Sequence, residues 1–214
     1  MRRLLYALLV AFSSVALTGA GQMAPQARPS FSDAQKADLD RISAYLNSIH
    51  TLKGRFTQID GNGGMAGGTF FLQKPGKIRF EYAPPAQLLV VSDGYAITVL
   101  NKKLNTTNRY PLSSSPLDFV LSNTLNLKVN PYVTGVEHNG NTILVKARSA
   151  KNRVTGNITM VFSEPSLALQ QWTIVDAQGG QTTVSLDDVQ SGMAIPGSTF
   201  VLSADTALLK KTQE

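Results

Sequence analysis

Cysteine is absent from this chain, which excludes a disulfide framework, a thiolate metal site, a cysteine nucleophile and a lipid attached through cysteine. Without such staples the fold must rest on its hydrophobic core. Histidine is nearly absent as well. His50 and His138 are the only two; neither has an i+4 histidine or a carboxylate at metal-binding spacing, so surface or capping roles are expected, with no metal and no cofactor. No serine sits in a nucleophile-elbow pattern. The glycines between Gly61 and Gly68 lack the lysine and following Ser/Thr of a phosphate loop, and they separate strands instead of opening a helix. Asp187 and Asp188 are adjacent, so in a strand they face opposite ways, and a strand terminus in solvent is the expected reading. Lysines and arginines are scattered instead of forming a stripe interleaved with aromatics, which argues against nucleic acid. An enzyme is therefore not expected.

Long apolar runs are also missing. The most apolar stretch, Leu4 to Leu17, is short of the roughly 18 uninterrupted apolar residues expected of a membrane-spanning helix. It follows Arg2 and Arg3 and precedes Thr18, Gly19 and Ala20, the layout of a secretory signal. The chain thus divides into a signal peptide over 1–20, a Pro-containing leader over 21–31 and one domain over 32–214. Loss of Arg2 and Arg3 takes the formal charge from +6 to +4, an ordinary solubility charge.

What is present is strand-like. Ser32 with Gln35 forms a capping-box signature, and Leu39, Ile42, Leu46 and Ile49 give a helix from about Asp33 to Ile49 one apolar stripe. Short apolar-alternating runs follow at Leu52–Ile59, Gly68–Gln73, Lys77–Tyr82, Gln87–Ser92 and Tyr95–Leu100. Ser115-Pro116 opens a second, short helix. Strands resume at Tyr132–His138, Thr142–Arg148, Asn157–Ser163, Gln170–Asp176 and Gln181–Asp187, with Asp93-Gly94, Asn139-Gly140 and Gly179-Gly180 as turns. About ten antiparallel strands and two helices predict a mainly β fold: an unclosed, curved barrel with helices as a lid, in preference to a plain sandwich. An interior too wide for side chains to fill is expected, and with no catalytic polar groups it reads as an apolar binding cavity.

Several segments read together as a family pattern: Leu52-Lys53-Gly54-Arg55-Phe56-Thr57-Gln58, Lys74-Pro75-Gly76-Lys77-Ile78-Arg79-Phe80-Glu81-Tyr82, Ser92-Asp93-Gly94, and Leu169-Gln170-Gln171-Trp172. In these the chain resembles the LolA family of periplasmic outer-membrane lipoprotein carriers, over essentially the whole length after the leader. The resemblance implies a soluble periplasmic chaperone, a monomer, that binds the acyl chains of triacylated lipoproteins. It implies an inner-membrane LolCDE-type ABC transporter as donor and a LolB-like protein or another outer-membrane acceptor. The acyl cavity falls on Leu46, Val120 and Trp172, joined by Leu121 and Phe80 on the same faces. The lid's hydrogen-bonding position falls on Lys74, where the best-known members carry arginine, with Arg79 as an alternative. Arginine offers a planar fork of five donors and lysine a rotating point charge, so the lid contact must be arranged differently here. Lacking a cysteine to lipidate, the chain reads as the shuttle and not as an anchored receptor. The same scaffold also serves envelope sensors that bind a peptide, the alternative reading, although such sensors usually carry a second domain or an anchor.

Overall fold

Ser32 starts the first helix as its sequence requires. In the computed structural model, which describes residues 29–149, 156–176 and 178–202, the Ser32 hydroxyl accepts from the Gln35 amide and the Gln35 side chain accepts from the Ser32 amide. Two of the helix's orphan donors are thereby satisfied. Helix α1 spans Asp33–Ser48 and buries Leu39, Ile42 and Leu46 completely. The expected signal peptide, most of the expected leader and residues 203–214 lie outside the described residues.

Among the described residues eleven strands follow in one sheet: β1 (Thr51–Asp60), β2 (Met65–Gln73), β3 (Lys77–Tyr82), β4 (Leu88–Asp93), β5 (Ala96–Asn101), β6 (Thr106–Pro111), β7 (Val133–Asn139), β8 (Thr142–Ser149), β9 (Gly156–Ser163), β10 (Leu169–Val175) and β11 (Gln181–Ser191). Their order is β6-β5-β4-β3-β2-β1-β11-β10-β9-β8-β7, antiparallel throughout, so β6 and β7 are the two edges and the barrel stays unclosed. Between those edges the chain runs through a 3-10 turn (Leu112–Ser114) and helix α2 (Leu117–Leu121). The Ser115 hydroxyl accepts from the Leu117 amide at the start of α2.

Two sequence expectations are corrected. Strand β6 is additional to the expected set, because Thr106–Pro111 has no apolar alternation; all six of its residues are at least partly exposed, and it exists by pairing with β5. The Asp187-Asp188 pair is no strand end. Strand β11 runs on to Ser191, and at the bulge Asp188 and Val189 together stand opposite Gly54. The bulge needs that glycine, since a Cβ on Gly54 would lie 2.7 Å from the Asp187 carbonyl oxygen and 2.9 Å from the Phe70 ring, closer than packing allows. Asp188, at φ 51°, turns outward to Arg55 at 2.6 Å.

The concave side holds one core, built from both helices and from the inward residues of the strands. Phe56 sits edge-to-face on Phe80 and on Tyr82, each with centroids 4.9 Å apart, and Phe80 meets Trp172 at 6.3 Å. A smaller cluster on the convex side, Leu89, Val91 and Leu100, is covered by Leu202. The 3-10 turn Gly197–Phe200 packs beside it against β3 and β4.

Candidate functional site

The five apolar positions picked out from sequence converge. Leu46 on α1, Val120 and Leu121 on α2, Phe80 on β3 and Trp172 on β10 all belong to the concave core, none more than 3% exposed. The two helices and the concave face of the sheet enclose them in one apolar interior.

How the helices are held therefore decides access. On one side α1 is tied by many polar contacts. Gln35 donates to the Val136 carbonyl, and the Tyr45 hydroxyl accepts from the Leu169 amide. Asn47 exchanges two hydrogen bonds with the backbone of Leu125, and the Ser43 hydroxyl accepts from the Leu127 amide. These partners lie on β7, β10 and the segment leading from α2 to β7. Among the described residues, the hydrogen bonds toward β2 and β3 fall on one turn. Lys74 Nζ donates to the Leu46 carbonyl at 2.8 Å, its backbone amide donates to the His50 carbonyl, and the Gly76 amide donates to the Leu121 carbonyl at 3.0 Å. Lys74-Pro75-Gly76 thus grips the C-terminal ends of both helices, where the negative end of the helix dipole favours a donor and a cation.

That turn is itself built from the Ser92-Asp93-Gly94 segment. The Ser92 hydroxyl, fully buried, donates to the Gly76 carbonyl at 2.7 Å, while Asp93 Oδ1 accepts from the amides of Tyr95 and Ala96. Gly76 adopts φ 74°, and a Cβ there would meet Gly94 Cα at 2.7 Å. The two motifs, distant in sequence, form one structural unit.

Burial lowers the Lys74 pKa from 10.5 to about 8, because desolvation disfavours the ammonium. A base whose pKa falls on folding binds fewer protons folded than unfolded, so its contribution to stability rises with pH between about 8 and 10.5. Lys74→Met is expected to remove that rise, seen as a denaturation midpoint with no gain between pH 8 and 10. It is also expected to speed hydrogen exchange in the last turn of α1 by about tenfold, the effect of losing one hydrogen bond of about 1.5 kcal/mol. Unchanged exchange would show that Lys74 does not hold the helix.

Arg79 lies elsewhere. It projects from the convex face of β3, pairs with Glu81 at 2.6 Å and donates to the Thr199 carbonyl at 3.1 Å. It secures the C-terminal segment and does not reach the helices.

His138, expected in a surface or capping role, is half exposed and sits between two carboxylates. Its Nε2 is 2.8 Å from Asp38 and its Nδ1 3.1 Å from Glu164, while Arg41 approaches both acids. The ring nitrogens face opposite ways, each to its own carboxylate, which makes a clasp between α1, β7 and the β9–β10 turn and not a chelating set. Residues 38, 138 and 164 come together only through the sheet, so no local spacing could show it. The hydrogen bond to Asp38, aided by Glu164, raises the His138 pKa above 6.5. A raised pKa means stability present in full below 6.5 and lost as pH rises through the folded value. His138→Asn is therefore expected to flatten the stability profile on that side of neutrality, with the midpoint compared at pH 6 and pH 8.5; exposure of the ring keeps the effect small.

Known proteins of similar sequence include several named outer-membrane lipoprotein carrier protein. A family profile described as "Outer membrane lipoprotein carrier protein LolA" matches residues 47–203. The outer-membrane lipoprotein carrier protein of Cupriavidus pinatubonensis is 26% identical over 184 residues, covering 78% of this chain and 84% of that protein. That of Chromohalobacter salexigens is 26% identical over 189 residues, covering 81% and 86%. Among solved structures, LolA superfamily protein NE2245 from Nitrosomonas europaea aligns with a TM-score of 0.44 at 10% identity, over 78% of this chain and 98% of that one. The Pseudomonas aeruginosa MucA/MucB complex aligns at 0.41 and 12%, over 79% and 62%.

Proposed function

The chain belongs to the LolA family of outer membrane lipoprotein carrier proteins, and from that premise we propose that it binds the acyl chains of lipoproteins leaving the inner membrane and carries them across the periplasm to the outer membrane. The observation that carries this reading is an apolar interior closed by two helices whose grip on the β2–β3 side is a single turn. Each acyl methylene taken out of water contributes about 0.8 kcal/mol, so a lipidated protein needs an apolar container in transit. Delivery needs the container to give its cargo up. A lid fixed firmly to β7 and β10 and lightly to Lys74-Pro75-Gly76 meets both demands, because opening breaks few bonds and leaves the helices attached to one half.

In this reading Leu46, Phe80, Val120, Leu121 and Trp172 turn from core packing to acyl chains, and Lys74 releases the Leu46 carbonyl. No catalytic step is involved. A LolCDE-type transporter would load the carrier and a LolB-like or other acceptor would unload it. No helix among the described residues is long and apolar enough to cross a membrane.

The decisive experiment incubates the mature protein with spheroplasts. A lipoprotein released into the medium as a soluble one-to-one complex is expected. If no lipoprotein is released while a known carrier releases one in parallel, the reading falls.

A further inference from the structure

A cavity of about 200 Å³ opens on the segment that crosses the seam between the edge strands β6 and β7. It is smaller than the roughly 300–1,000 Å³ typical of sites that enclose a whole small molecule. Its walls are of two kinds. Phe119, Leu125 and Ile158 supply apolar surface, and Leu125 and Ile158 are themselves members of the concave core. Ser113, Ser115, Ser122, Thr124, Asn126 and Asn130 supply hydroxyls and amides, while one aspartate and one arginine, Asp118 and Arg148, balance in charge. The other face of α2 points inward, with Leu117, Val120 and Leu121 buried. The cavity is thus a place where the apolar interior comes within one side chain of solvent.

An amphiphile whose tails lie in the core must pass its polar junction through such a place, since burying that junction unpaired is costly. The lining narrows the chemistry. Hydroxyls and primary amides both donate and accept, which suits the N–H and C=O groups of a peptide. An ester can only accept, and a phosphate headgroup calls for a surplus of cations that the lining does not have.

Resting on the carrier reading above, we propose that this cavity binds the peptide backbone immediately next to the acylated end of the cargo. Acyl chains then occupy the core behind α2 and the first peptide units pair with the Ser, Thr and Asn side chains at the seam. Specificity for lipoprotein over free lipid would arise here, because the core by itself treats all acyl chains alike.

The test compares two ligands carrying the same tails, a dipalmitoylglyceryl-cysteinyl pentapeptide and dipalmitoylglycerol, on the wild-type mature protein and on Thr124→Trp, which fills the cavity from an exposed position. The expected result is a loss of about tenfold in affinity for the lipopeptide, the worth of one or two hydrogen bonds, with dipalmitoylglycerol binding unchanged. Asn126→Ala removes polar groups without adding bulk, is expected to move binding in the same direction, and serves if Thr124→Trp does not fold. Wild-type binding of the lipopeptide that neither variant alters, or equal losses for both ligands, would overturn the cavity assignment and leave the carrier reading standing. Failure of the wild type to bind either ligand would overturn both.

Discussion

Truncation of Trp172 to alanine is expected to lower the unfolding free energy by about 3–5 kcal/mol, the cost of emptying a large aromatic site in a packed core. The indole is 3% exposed and lies beside Phe80, itself edge-on to Phe56, between the sheet and the helices. Its β-strand neighbours cannot collapse into the space, because the β10 backbone is fixed on both sides by β9 and β11. Such a loss is a large fraction of the roughly 5–15 kcal/mol that holds an ordinary domain together. Urea unfolding followed by far-ultraviolet circular dichroism measures it, with Met193→Ala on the loop after β11 as a reference. A change below about 1 kcal/mol would mean that the closed interior is loosely packed. The cavity left behind would be apolar and is expected to stay dry.

Alanine at Gly76 is expected to cost about 3 kcal/mol and to loosen both helices at once. Two effects add: an alanine forced to positive φ, and a Cβ 2.7 Å from Gly94 Cα, where the neighbour is backbone and cannot rotate away. Relief of the overlap moves the turn outward, which stretches the Gly76 amide away from Leu121 and carries Lys74 away from Leu46. Gly140 separates the two effects. It has φ 57°, but a Cβ added there would meet nothing within 4 Å, so Gly140→Ala should cost only about 1 kcal/mol. Hydrogen exchange should show faster opening of the ends of α1 and α2 in Gly76→Ala and not in Gly140→Ala. Equal losses in both variants would mean that left-handed strain alone acts and that the Gly94 contact is unimportant.

Much of the scaffold was legible in local chemistry. The Ser32–Gln35 box, the stripe of α1, the alternation of β3 and the turn at Asp93-Gly94 are all short-range, and each formed within a residue or two of its expected place. Strand β6 was illegible for the converse reason: an edge strand exposed along its length carries no periodic signal and is defined by its partner. The same holds for Arg79. Close to Lys74 along the chain, it faces the other side of the sheet, and only the return of Thr199 to that convex face gave it a partner.

Composition and period thus determined by themselves that the chain makes a cysteine-free antiparallel sheet with one apolar face and helices to cover it, because burial of alternate residues depends on the sequence period alone. The grip on the helices was decided by tertiary structure. Lys74 reaches Leu46 across 28 residues, Ser92 holds Gly76 across 16, and His138 meets Asp38 across 100. Hydrogen bonds and ion pairs act over a few ångströms, so their partners are set by how the sheet curls and not by spacing along the chain.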